Sequence, residues 1–298
     1  MSETKTPQTS APVMLGILAA ITAMAFYASN FVVSRFSIQT GLTAYDLSAL
    51  RYASAGLLLI PLLLSYGIRD LAGIGWQRGF ILAGLAGAPY MMMIFGGLHF
   101  SPASHGSVLN PGFVPIVAAL GMWLLDGIRI TIIKQLALVL IIGGLVLVSS
   151  FSFSSEASTL VGDLLFLLSG LSWGIFTVLI RHWQLQPWRV AVVVSVLSML
   201  YLPIYIGMGE QHITSTPLTH VLAQALFQGP GLSILALFLF GYAVKTLGPH
   251  HASVYTPLVP VLAVLLSIPV LGEIPTLLQT MGILLVVTGM YLAARYSS

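Results

Sequence analysis

The chain has 298 residues, of which 57% are hydrophobic and 6% charged, and a mean hydropathy of +0.99. Charged residues usually supply about a quarter of a soluble domain, so this surface is too apolar for water and the sequence reads as an integral membrane protein. The formal charge of +3 follows from scarce acids and a cationic cytoplasmic face and calls for no nucleic-acid partner; the lack of cysteine excludes disulfides, thiolate metal sites and thiol chemistry.

Residues 1–12 form a short polar tail. Apolar runs long enough to cross ~30 Å of hydrocarbon as helix follow near 13–34, 45–66, 79–98, 104–125, 132–150, 160–181, 189–209, 223–245, 251–271 and 275–294. These are spans 1 to 10. The breaks between them carry turn signals such as Ser101-Pro102, Gln186-Pro187 and Gly248-Pro249. Lysine and arginine are retained on the cytoplasmic side. With the N-terminus inside, that side receives Lys5, Arg69, Arg78, Arg129, Lys134, Arg181, Arg189, Lys245 and Arg295, and the other only Arg35 and Arg51. Both termini are therefore expected in the cytoplasm.

The sequence also repeats. Gly16, Tyr27, Arg35, His105, Ser107, Val108 and Pro111 meet Gly162, Trp173, Arg181, His251, Ser253, Val254 and Pro257 at one offset, 146 residues (162 − 16). Residues 13–295 thus form a single transmembrane domain of two copies, 13–150 and 160–295. Five spans per copy is an odd number, so the second copy enters the membrane from the opposite side. The fold class is an all-α membrane protein of ten transmembrane helices in two inverted five-helix repeats.

Several motifs resemble the EamA branch of the drug/metabolite transporter superfamily: Ala49-Leu50-Arg51, Gly162-Asp163, Ser172-Trp173-Gly174, Pro257 with Pro260, and Leu271-Gly272-Glu273. The likeness covers about residues 13–294, with one departure, Leu125-Asp126-Gly127, where the family often repeats a Gly-Glu pair. Overall the chain looks most like bacterial exporters of aromatic amino acids, of the YddG type. That resemblance implies two five-helix halves alternating around a central cavity in a bacterial inner membrane.

Inverted-repeat carriers bind cargo where helices from both copies are interrupted. Pro111 and Pro115 in span 4, and Pro257 and Pro260 in span 9, are expected to supply those interruptions by freeing carbonyls one turn earlier. Beside them Ser107 and Asn110, and Ser253, Tyr255 and Thr256, offer neutral donors and acceptors. Tyr27, Asn30, Tyr90, Trp173, Thr177 and Tyr242 are candidates for an aromatic and amide-lined pocket. Interface anchoring and packing are the competing roles for each ring. His99, His105, His250 and His251 are candidates for proton coupling, although all lie near helix ends and solvated interface positions suit them better. With no carboxylate near either pair, a metal is disfavoured. Asp163 and Glu273 read as caps of spans 6 and 10, and Arg51 as a residue snorkelling to the interface near Asp46.

The sequence points to a secondary transporter exporting small organic solutes, most simply aromatic and other neutral amino acids. Other metabolites or drugs, such as a nucleobase or sugar derivative, remain open, as does an intramembrane enzyme using these histidines or Asp163. No cofactor or ATP motif is present. The partners implied are a small-molecule substrate and the bilayer; a monomer is compatible with the sequence, which fixes no oligomeric state.

Overall fold

The computed structural model describes residues 10–127, 130–154, 157–209 and 211–296. Lys5, Arg129, Glu156, Glu210 and most of the polar tail lie outside the described residues. Ten helical spans are long and apolar enough to cross a bilayer: Pro12–Gln39, Ala44–Tyr66, Trp76–Phe100, Ala103–Leu125, Ile132–Ser149, Ser158–His182, Pro187–Met208, Leu218–Leu247, His250–Leu271 and Leu277–Arg295. No strand occurs among the described residues. After ten crossings the first and last described spans begin and end on the same side of the bundle, where Val13 and Tyr296 line one groove. We call that side the terminal end and the opposite side the distal end. Five crossings per repeat invert the second relative to the first.

Two spans open with a capping box. Thr43 and Asp46 satisfy each other's backbone amides at the start of span 2, and Thr276 and Gln279 do so at the start of span 10. Spans 5 and 10 pack along their length and meet backbone to backbone, since a Cβ on Gly144 would lie 2.5 Å from the Gly282 carbonyl. The largest core cluster joins both repeats, with Met24, Phe95, Leu109 and Phe166 fully enclosed.

The interruptions fall in spans 3, 7, 8 and 9; span 7 passes from the helix Pro187–Leu197 through a 3-10 turn, Ser198–Leu200, into the helix Tyr201–Met208. Span 3 is two helices, Trp76–Ala86 and Ala88–Phe100, hinged at Gly87. Pro89 has no N–H to give to Leu85, and the Ser172 hydroxyl donates to that carbonyl instead at 2.7 Å, while Tyr52 donates to the Ala86 carbonyl. Span 8 contains a π-helical stretch, Phe227–Ala236, around Pro230. Span 9 is broken between Pro249–Ser253 and Leu258–Leu271, with Pro257 capping the second piece and Pro260 inside it. Span 4, by contrast, runs as one helix, Ala103–Asp126, through Pro111 and Pro115. The expected interruption there is corrected: each proline frees one carbonyl without stopping the helix, as membrane helices allow when neighbours and local adjustments absorb the loss.

Candidate solute site

The hinge at Gly87 delivers Tyr90 to the middle of the bundle, where it is buried. Its ring lies 5.1 Å from that of Trp173 on span 6, which lies 5.0 Å from Phe176, an offset aromatic run crossing the two repeats. The Tyr90 hydroxyl faces the Asn110 carbonyl oxygen at 3.5 Å, and the Asn110 amide donates to Ser169 at 2.8 Å. Both amide positions of Asn110 are thereby fixed by spans 3 and 6.

A second polar set adjoins the first. The π-helical turn places buried Gln228 so that its carbonyl oxygen accepts from Arg51 at 3.1 Å and its NH2 donates to Ser34 at 2.9 Å. Ser34 in turn donates to Asn30 at 3.3 Å. Extra residues per turn of this kind recur at functional sites because they re-aim a side chain. The Arg51 guanidinium is close enough to the hydroxyls of Tyr27, Tyr52 and Tyr90 to act on them electrostatically. Arg51 therefore points into the bundle, and the expected interface position beside Asp46 is corrected. Asp46 is fully buried elsewhere, accepting from Thr43 and from Tyr205 at 2.5 Å. Tyr27, Arg51 and Trp173 are half-buried, and Tyr27 and Trp173 pack on the main core.

Two stretches, 14–150 and 160–295, each match the EamA-like transporter family. The chain belongs to the EamA-like transporter family. It is a membrane transporter of small solutes. A protein of Archaeoglobus fulgidus described as an uncharacterized transporter is 25% identical over 290 residues, covering 93% of this chain and 96% of its own. A solved crystal structure superposes with a TM-score of 0.59 at 18% identity, over 96% of this chain and 97% of the other, a likeness of fold.

The remaining candidate residues of the transporter lie apart from Arg51 or serve their own helices. Ser107 donates to the Ser104 carbonyl, Thr177 to Gly174, Ser253 to His250 and Thr256 to Ser253. Tyr242 packs beside the small alanine cluster of Ala19, Ala20, Ala243 and Ala252. Tyr255 lines a groove of about 670 Å³ at the terminal end, between spans 1, 8, 9 and 10, together with His250, His251, Thr246, Tyr291 and Arg295. His250 and His251 are exposed. His99 is exposed too, with its carbonyl accepting from Arg35 at 3.0 Å.

His105 is the exception. It is 1% exposed, with Nδ1 2.9 and 3.1 Å from the two carboxylate oxygens of Asp163 and Nε2 2.7 Å from the Gln279 amide nitrogen. The solvated position without a nearby carboxylate is thus corrected, because packing span 6 on span 4 brings together residues 58 apart in sequence. Asp163 also accepts from the Ser101 hydroxyl at 2.6 Å, and it sits inside the helix Ala157–His182 rather than capping it. Glu273 caps a different helix from the one expected: it accepts from the Ala103 amide at 2.9 Å, the first amide of span 4, while Thr276 and Gln279 cap span 10. Arg35 lies 3.4 Å from Glu273 and donates to the Leu98 carbonyl. Burial pushes the Glu273 carboxyl up from its ordinary value, against the pull of Arg35 and the Ala103 and Ser104 amides.

Proposed function

We propose that this transporter exports aromatic and other neutral amino acids across a bacterial inner membrane by alternating access, with both chain ends in the cytoplasm. The observation that carries the reading is a guanidinium, Arg51 on Gln228, set beside the aromatic run Tyr90, Trp173 and Phe176. An amino acid needs both features. Arginine pairs with a carboxylate through two parallel N–H donors, the rings stack on an aromatic side chain, and the carbonyl oxygen of Asn110 and the tyrosine hydroxyls can accept from the ammonium. Ionisable groups within a membrane are expensive and usually mark the route of a polar cargo. The sidedness rests on the cations, with Arg69, Arg78, Arg181, Arg189, Lys245 and Arg295 all toward the terminal end.

Counterflow into liposomes containing the purified chain tests this directly, with labelled phenylalanine, tryptophan and leucine set against uracil and a hexose. Saturable exchange of the amino acids is expected, and equal or absent response across the panel removes the assignment. Trp173→Ala should cut tryptophan flux by about tenfold, near the upper end of what an aromatic pair contributes, with little loss of folded yield. Arg51→Gln should abolish the preference for tryptophan over tryptamine, which lacks the carboxylate; retained preference would place carboxylate recognition elsewhere.

A further inference from the structure

We propose that His105 is a proton-binding site that keeps the distal end of the transporter shut while neutral and releases it when protonated. The geometry begins with Gln279. Its carbonyl oxygen is committed to the Thr276 amide at 2.7 Å, in the capping box that starts span 10. The NH2 group must then be the part that faces His105 Nε2 at 2.7 Å. An NH2 can only donate, so Nε2 must accept, and an imidazole whose Nε2 accepts carries its single proton on Nδ1, directed at Asp163. The closed arrangement therefore specifies a neutral imidazole in one tautomer.

Adding a proton to Nε2 sets N–H against NH2. Turning the Gln279 amide over relieves the conflict, but strips the cap from Thr276 and loosens the segment that carries Glu273. That segment holds the distal end together. His105 to Asp163, Ser101 to Asp163, Gln279 to His105, Glu273 to the Ala103 amide and Arg35 to Glu273 each join a residue of the first repeat to one of the second. Separation of the repeats at this end requires all of them to part. Buried polar contacts of this kind are costly to leave half-made, so the set closes or opens as a unit.

Among the described residues, the charged and titratable groups that contact this set are Asp163 from span 6, Glu273 from the segment before span 10 and Arg35 from span 1, whose guanidinium also donates to the carbonyl of exposed His99 at the end of span 3. Repeat symmetry argues that the set is not a requirement of the scaffold. The 146-residue offset maps Ser101, Asp163, Gln279 and Glu273 onto Leu247, Ile17, Ile133 and Gly127, none of which can take part in such contacts.

The absence of native cysteine allows paired spin labels at Phe100→Cys and Ile274→Cys, exposed positions on either side of the closure. Their separation is measured by pulsed electron resonance on the full chain in lipid nanodiscs at about pH 8 and about pH 5.5, either side of the ordinary imidazole range. The proposal expects a single short distance at the higher pH and a severalfold growth of a longer one at the lower. In His105→Gln the short distance should persist at both. In Gln279→Glu, where a carboxylate can accept from both Thr276 and a protonated Nε2, the distal end should also stay shut at about pH 5.5. No pH response in the parent overturns the proposal whatever the variants do. An undiminished response in His105→Gln overturns it as well, by moving the switch to Glu273 or His99.

Discussion

The two ends of the bundle are built from matched positions and finished differently. At the distal end His105 is enclosed by Asp163 and Gln279 and the repeats are joined by charge-assisted contacts. At the terminal end its repeat mate His251 is exposed on a groove of about 670 Å³. The distal groove in the corresponding place, between spans 4, 5 and 6, measures about 290 Å³ and is apolar apart from Asp163 and Ser149. Duplication supplied one backbone twice, and the side chains decide which end is held shut. On the proposed alternating-access reading the two ends must not open together, and unequal closures on equal scaffolds would serve that.

The strongest way to break the comparison is to delete the same repeat position at each end. His105→Ala leaves Asp163 and Gln279 short of a buried partner, and each orphaned group costs ~1–3 kcal/mol; a fall of several degrees or more in the detergent melting temperature is expected. His251→Ala removes an exposed ring and should stay within about 0.5 kcal/mol. Equal shifts would mean that the distal contacts add no more than the terminal surface does. The paired glycines give the next largest contrast. A Cβ on Gly162 would lie 2.8 Å from the Gly97 carbonyl and 2.9 Å from the Ser101 amide, which are backbone and cannot move aside. The nearest atoms to a Cβ on Gly16 are side-chain atoms, the Thr246 hydroxyl and the end of Leu247. Gly162→Ala should therefore cost ~1–3 kcal/mol by overpacking, and Gly16→Ala distinctly less, read from the same melting curves.

Much of this was legible in the sequence, and the unread parts share a cause. Run length and composition fix the ten spans, and the 146-residue offset fixes the duplication, because both are local or periodic properties of the chain. Span 3 was readable in principle: Gly87-Ala88-Pro89 in mid-span is a hinge signal as strong as Pro111-Gly112 and Pro115, and differs in that its glycine precedes the proline. Gln228 before Gly229-Pro230 was likewise a polar residue out of place in an apolar run. Arg51 lies seven residues into span 2, about 10 Å from its start at 1.5 Å per residue. That depth is compatible with either the interface or the interior, and only the position of Gln228 decides. The distal contacts were hidden because they join residues 58, 62, 170 and 174 apart. Hydropathy reports the depth of a residue and says nothing of which neighbour it meets there.

The mated arginines offer a third contrast. Arg35→Gln removes the donor to the part-buried Leu98 carbonyl, the donor to the exposed His99 carbonyl and the partner of Glu273, and should cost ~1–2 kcal/mol. Arg181 is exposed, and its guanidinium touches the sulfur of Met122, so Arg181→Gln should leave the melting temperature unchanged. A double substitution, Arg35→Gln with Glu273→Gln, should cost less than the sum of the two singles, since they share one contact.

The smallest effect expected belongs to Glu273 and concerns pH. Burial raises its affinity for a proton in the folded chain above that of an ordinary glutamate. Between the ordinary carboxylate range and the raised value the folded state binds more protons than the unfolded one, so stability must fall as pH rises through that window. The stabilisation is complete below the ordinary range and is lost as the folded carboxyl ionises. Glu273→Gln keeps an acceptor for the Ala103 amide and cannot ionise, so it should flatten that slope while leaving the acid side unchanged. Melting temperatures of parent and variant across the mildly acidic range decide it: parallel curves would mean that Arg35 and the two amides outweigh burial, and that Glu273 is an anion throughout.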